Sequence, residues 1–171
     1  MKNGLRCIAV AMFLAIPNVR AQEPAKPGPE HEMLKKHVGT WDTTMSMGGV
    51  ESKGVATYKM ELGGLWLVST FEGEVGGAKY TGKGLDSYDA NKKKYVGVWV
   101  DSMSASPMNF EGTLDKEKKT LTMMGEGTGM DGKTEKFKSV TEWKDDNTVN
   151  FSMYMGSGKD PAFTILYKRK K

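Results

Sequence analysis

Two carboxylates have neighbours that could turn them into acid–base groups. Asp101 follows Trp99 by two residues, and in a strand residues at this spacing share one face. A carboxylate held against an indole in a cavity can have a raised pKa and donate a proton. Glu111 also lies in an alternating stretch. A carboxylate-dependent enzyme using Asp101 or Glu111 is therefore one hypothesis, although we expect both acids in outward or strand-end positions.

Methionine is unusually frequent, with 13 residues in the chain. Met45 and Met47 are two residues apart, as are Met153 and Met155, so each pair lies on one face of its strand. Thioethers are soft ligands that suit Cu(I), so a copper-handling protein is a second hypothesis. We favour the simpler interpretation, in which flexible thioethers fill or line an irregular apolar interior.

The two histidines, His31 and His37, offer little catalytic or metal-binding chemistry. In a helix their spacing places them on different faces, and no later histidine could complete a catalytic triad, a zinc site or a haem site. We expect both to be solvated or to pack in a helix cap. Asp86, Asp89 and Asn91 have part of a calcium-loop spacing but lack its glycine and distal glutamate, which predicts a hairpin turn.

The N-terminus has the three parts of a secretory signal. Residues 2–6 carry two positive charges, Cys7–Ile16 are apolar, and Val19-Arg20-Ala21 has small residues at the positions that signal peptidase reads. The apolar run is too short to cross a bilayer, which needs about 20 residues. We therefore predict that residues 1–21 are a signal peptide and that the mature protein, periplasmic or secreted, has no stable membrane span.

Removal of this signal changes the composition. It takes three basic residues and no acid, so Lys and Arg fall from 25 to 22 against 21 acids, and the net charge falls from +4 to +1. This balance gives no support to nucleic-acid binding, and the basic tail 168–171 is expected to be a solvated end. Cys7 is also lost, which excludes disulfides, thiol catalysis and thiolate metal sites.

The rest of the chain predicts one short helix followed by strands. Residues 22–29 are Pro-rich and polar, typical of a flexible linker, and residues 30–38 have a helical spacing that ends at Gly39. Alternating stretches separated by Gly- and Asp-rich turns then predict about ten strands, at 39–47, 55–62, 65–72, 78–85, 95–102, 108–113, 120–124, 134–143, 149–155 and 162–168. We predict an all-β fold for residues 30–171, a single domain in which an antiparallel meander is closed or curled into a barrel.

The start of the first strand, Gly39-Thr40-Trp41, is similar to the Gly-x-Trp start of lipocalin-type barrels. That resemblance implies that Trp41 packs across the barrel floor, which the N-terminal helix closes. Longer stretches, including Lys94–Met103 and Gly84–Asp89, resemble the bacterial domain-of-unknown-function family 1579 over nearly all of residues 29–170. This second resemblance implies a small β-rich domain and supplies no activity or catalytic residues.

The sequence thus favours a non-enzymatic, lipocalin-like barrel that binds a small apolar or amphipathic ligand in its interior. Its candidate ligand-binding residues are Trp41, Met45, Trp99, Asp101, Phe151 and Met153. We assign no catalytic residue, no metal site and no cofactor. Two alternatives remain besides the carboxylate-dependent enzyme: the copper-handling protein, and a solidly packed barrel that serves as an interaction domain.

Overall fold

The computed structural model describes residues 24–129 and 132–171. The predicted signal peptide, residues 1–21, lies outside the described residues. The described residues form one helix, a short 3₁₀ turn at Leu62–Gly64, and ten strands: α1 (His31–Lys35), β1 (Gly39–Met47), β2 (Val50–Glu61), β3 (Trp66–Val75), β4 (Ala78–Asp89), β5 (Lys94–Asp101), β6 (Ser104–Asp115), β7 (Thr120–Thr128), β8 (Thr134–Asp145), β9 (Thr148–Met155) and β10 (Phe163–Arg169).

The ten strands form one closed antiparallel barrel. Consecutive strands pair along the chain, and β1 also pairs with β10, so the sheet has no free edge. The prediction of an all-β antiparallel barrel with one short helix is therefore confirmed. Two of its two-residue hairpin turns use Gly48-Gly49 and Gly76-Gly77, which have positive φ at both positions, the conformation that best matches the twist of the flanking strands.

Most predicted elements differ from the observed ones by a few residues at one end or both, and β2 begins at Val50 rather than Val55. Two of these differences have identifiable causes. The helix ends at Lys35 rather than Val38, because the next turn tightens to i→i+3 hydrogen bonds from His37 and Val38 before the chain enters β1. Strand β6 begins at Ser104 and contains Pro107, whereas the predicted strand began after this proline, at residue 108. The β5–β6 register shifts in this stretch, and such an irregularity can accommodate a residue that has no N–H to donate.

The barrel floor is built around Trp41, which is fully buried. Its Nε1 donates a hydrogen bond to the carbonyl of His37, 2.8 Å away, which ties the end of the helical segment to β1. The floor position that the Gly-x-Trp resemblance implied for Trp41 is confirmed. Among the described residues, no helix is long and apolar enough to span a membrane.

Arg169 covers the outer side of the barrel floor. The expectation of a solvated basic tail is therefore wrong at this residue. Its guanidinium donates to the carbonyls of Lys36, Val38 and Asp146 and lies over the Trp41 ring. Gly39 has φ of +130°, and a Cβ there would come within 2.7 Å of the guanidinium. Glycine is therefore needed where the helix joins the first strand.

Candidate functional site

The barrel encloses a cavity of about 660 Å³ above this floor. Its wall is mainly apolar and aromatic, and it extends from Leu34 and His37 at the floor to the opposite rim. The rim is formed by residues that end or follow strands, among them Met47, Val75 and Met155. Ligand sites in proteins commonly have volumes of about 300–1,000 Å³. The cavity is therefore large enough for a small organic molecule that enters between the hairpins.

Five of the six predicted ligand-binding residues line this one cavity: Met45, Trp99, Asp101, Phe151 and Met153. The sixth, Trp41, does not line it. Its ring is covered by Arg169 on one side and contacts the His37 ring, with ring centres 5.7 Å apart, on another. Trp41 therefore supports the site from beneath.

The methionine pairs point into the barrel. Met45 and Met153 are 8% and 7% exposed, and Met47 and Met155 also line the cavity nearer the rim. In the register, Met45 lies opposite Ile165, and Met153 lies opposite Phe163. Both methionine pairs therefore pack beside apolar residues, as expected if they line the core. Met124, by contrast, lies on the outer face.

A polar network holds Trp99 against the cavity wall. Its Nε1 donates to the Tyr80 hydroxyl at 3.2 Å and to Asp101 Oδ2 at 3.1 Å. The other oxygen of Asp101 accepts from the backbone N–H of Met103 at 2.8 Å. A Cβ on Gly82 would collide with the indole, so this glycine makes room for the ring. The carboxylate of Asp101 is thus already partnered and orients the indole.

Glu111 is not part of the cavity wall. It faces outward from β6 and forms ion pairs with Lys94 and Lys92. The hydrogen bond from Lys94, with a smaller contribution from Lys92, holds the pKa of Glu111 below its usual value. Glu111 therefore cannot act on a molecule inside the barrel, and the hypothesis of an enzyme using this residue loses its geometric basis.

Asp86 is an interior carboxylate that the sequence pattern did not place in the cavity. It lies in β4 rather than in the predicted turn, and only Asp89 makes turn contacts, accepting from the N–H groups of Asn91 and Lys92. Asp86 lines the cavity, and burial raises its pKa from 3.8 to about 7. The alternation that places Tyr80, Gly82 and Gly84 on the inner face continues to Asp86 and was the signal that could have revealed it.

Two tyrosines lie close to this carboxylate. The rings of Tyr58 and Tyr167 meet edge to face with centres 6.3 Å apart. Burial is the main cause that raises both pKa values, Tyr167 to about 12, and the charge of Asp86 raises them further. Both hydroxyls therefore stay protonated at neutral pH and remain hydrogen-bonding groups of the cavity.

His37 lies in a cage of aromatic rings at the cavity floor. The ring centres of Tyr58, Trp143 and Trp41 are 4.7, 5.2 and 5.7 Å from that of His37. Burial and, secondarily, the charge of Arg169 lower the pKa of His37 to about 4, so the imidazole is neutral at pH 7. His31 is also buried. Of the two expected arrangements, solvated or packed at a helix cap, both histidines therefore show the packed one.

The described residues contain no group of three or more His, Cys, Asp or Glu side chains that could hold a metal ion. Trp143 Nε1 and Thr43 Oγ1 are buried without a hydrogen-bond partner. Both atoms are sealed from the cavity, and Thr43 does not line it at all. Near the floor, the polar side chains that line the cavity are those of Asp86, Tyr58 and Tyr167 together with the neutral His37, and Ser139, Thr141, Asp101 and Glu135 add polar groups elsewhere on the described wall.

Three comparisons relate the chain to known proteins. Among curated proteins, none matches the chain. A solved structure described as a redesigned beta barrel is similar over 81% of this chain and 96% of its own, with 16% sequence identity and a TM-score of 0.45. A family model, "Protein of unknown function (DUF1579)", matches residues 26–169. The chain, a ten-stranded closed barrel, therefore belongs to the DUF1579 family.

Proposed function

We propose that this protein binds a small apolar or amphipathic molecule inside its barrel. The observation that carries the proposal is the interior cavity of about 660 Å³ with a largely apolar wall. Interiors of domains are normally packed with few voids larger than a water molecule. A barrel whose only task was to present an outer surface would gain stability from filling this space, so the cavity favours binding over the packed-barrel alternative.

The construction of the two barrel ends supports the same proposal. One end is closed by α1, by the Trp41 indole and by the Arg169 guanidinium with its three carbonyl partners. The other end is bordered by hairpins, and rim residues such as Met47 and Met103 are 40% and 67% exposed. A ligand would enter at this rim and lie along the methionine and phenylalanine side chains of β1 and β9.

A neutral environment-sensitive dye tests the proposal. Nile red should bind the mature protein saturably, at one site, with energy transfer from tryptophan. Ser139 faces the cavity from β8, so Ser139→Phe should fill part of the space and weaken binding at least tenfold. Ser152 lies on the outward phase of β9, next to the inward Met153, and Ser152→Phe is the matched control.

The two variants should bind the dye differently if it lies inside the barrel. Loss of dye binding in Ser139→Phe with retention in Ser152→Phe supports an interior site. Equal binding by both variants, or no saturable binding by the wild type, overturns it. Circular dichroism establishes that each variant is folded, and Thr141→Phe, which also fills the cavity from β8, serves if Ser139→Phe does not fold.

We also propose that binding takes place outside the cytoplasm. Support comes from the charged, apolar and small-residue segments of residues 2–21. These residues precede the described chain.

A further inference from the structure

The charges of the cavity wall all have one sign. Three carboxylates line it: Asp86 near the floor, and Asp101 and Glu135 farther along the wall. No lysine or arginine of the described chain lines it, and His37 is neutral at pH 7. Arg169 is separated from the cavity by the Trp41 ring, with its guanidinium committed to backbone carbonyls. The interior is therefore acidic, although the outer face carries many lysines.

Asp86 is less compensated than Asp101. Asp101 accepts two hydrogen bonds from protein groups. In contrast, no described residue forms an ion pair with Asp86, and burial alone accounts for its raised pKa. Across the sheet it faces Leu67 and Gly97, which have no polar side chain, and a Cβ on Gly97 would collide with its carboxylate. Gly97 thus leaves room for a carboxylate that forms no ion pair with any residue of the described chain.

Resting on the proposed function, we propose that the ligand is an amphiphile with a protonated amine, which pairs with Asp86 while its apolar chain extends toward the rim. A buried carboxylate is costly unless it is paired, and an ammonium group supplies both the opposite charge and hydrogen-bond donors. The two neighbouring tyrosines, Tyr58 and Tyr167, add aromatic surface that also favours a cation.

The same arrangement disfavours the other common amphiphiles. A fatty acid would bring a further negative charge into a cavity whose described wall has no cation. A fatty alcohol could accept or donate a hydrogen bond but would leave the charge of Asp86 uncompensated. The test is therefore to compare the affinities of amphiphiles that have the same alkyl chain and different head groups.

The experiment uses n-decylamine, 1-decanol and decanoate as competitors of Nile red, each below its aggregation limit. Wild type should bind decylamine at least tenfold more tightly than decanoate and more tightly than decanol. Asp86→Asn keeps the side-chain volume and should lower decylamine affinity about tenfold, with little effect on decanol. Asp42→Asn, an exposed acid on the outer phase of β1, is the matched control and should keep the wild-type preference.

A pH profile provides a second readout. Between pH 6 and pH 8 decylamine stays protonated while Asp86 ionises, so wild-type affinity should rise about tenfold. The other titratable groups near Asp86 are Tyr58 on β2, Tyr167 on β10 and His37 after α1, and none of them changes charge in this range. The flanking strands β3 and β5 present Leu67 and Gly97 to it. Asp86→Asn should abolish the rise.

Failure of this inference is distinguishable from failure of the proposed function. If the three competitors bind equally well, if decanoate binds best, or if Asp86→Asn keeps the preference for the amine, the amine inference is wrong and interior binding stands. If wild type shows no saturable binding of the dye, interior binding itself is wrong. Asp86→Ser gives the same readout if Asp86→Asn does not fold.

Discussion

The guanidinium of Arg169 lies 4.1 Å from the centre of the Trp41 ring. The two residues are partners in the register of β1 and β10, so the last strand covers the aromatic residue that opens the first. The guanidinium also binds the carbonyls of Lys36 and Val38, at the end of the helical segment. One side chain thus connects the helix, the first strand and the last strand at the closed end of the barrel.

Arg169→Ala should lower the free energy of unfolding by about 2–4 kcal/mol, because it removes a cation–π contact and charge-assisted hydrogen bonds to three carbonyls. Urea unfolding measures the loss. Lys170→Ala is the control: its Nζ lies 3.7 Å from Asp42 at the surface, and its loss should cost less than about 0.5 kcal/mol. Equal effects of the two substitutions would show that Arg169 is no more than a surface charge.

Trp41→Ala should cost about 3–5 kcal/mol, because it empties a fully buried site under the cavity and removes the hydrogen bond to the His37 carbonyl. Trp66 is a tryptophan on the outer face of β3 and serves as the comparison. Trp66→Ala should lower the free energy of unfolding clearly less than Trp41→Ala. Denaturant melts of both variants decide the point. A loss under about 1 kcal/mol for Trp41→Ala is incompatible with its role as the floor.

Asp86 should make the protein less stable as the pH rises. Its pKa is raised from 3.8 to about 7 in the folded state, so the folded protein binds this proton more tightly than the unfolded chain. The free energy of unfolding therefore falls between about pH 4 and pH 7, by at most about 4 kcal/mol. Asp86→Asn should abolish this fall, as seen in the difference between wild-type and variant stability curves.

His37 should act in the opposite direction. Its pKa is lowered from 6.5 to about 4, so the unfolded chain binds this proton more tightly and stability is lost as the pH falls through that range. His37→Phe keeps a ring in the aromatic cage and should remove this acid-side loss. If neither variant changes the pH dependence relative to wild type, the buried environments of Asp86 and His37 are wrongly described.

Met45→Leu and Met153→Leu should each cost less than about 1.5 kcal/mol, because leucine nearly conserves the volume of these buried side chains. Cu(I) affinity, measured in competition with a chelator, should be weak in wild type and in both variants. Tight binding that disappears in the leucine variants would instead establish the copper-handling alternative.

The mature protein should begin at Gln22 and be found outside the cytoplasm. Fractionation of the native host followed by N-terminal sequencing is the measurement. Exported material that still carries Met1 or Cys7 would contradict the predicted cleavage.

Local patterns in the sequence were sufficient for the strands and for much of the cavity wall. Alternation with period two and glycine-rich turns depend only on neighbouring residues, so they predicted the ten strands and placed Met45, Trp99 and Phe151 on inner faces. The Gly-x-Trp segment likewise predicted the buried floor at Trp41. Boundaries at the helix end and near Pro107 were less accurate, because tertiary hydrogen bonds decide where an element stops.

Only closure of the barrel decided the environments of Asp86 and Arg169. Asp86 belongs to a predicted turn and Arg169 to a basic tail, and both stretches are polar. The neighbouring residues in the sequence therefore do not show which side chains surround either residue in the fold. Asp86 is enclosed by β3 and β5, and Arg169 reaches Trp41 because β10 pairs with β1. The burial of a charge depends on such distant partners, since they determine how much water and which counter-charge surround it. The tertiary structure therefore decided the acidic interior and the sealed floor.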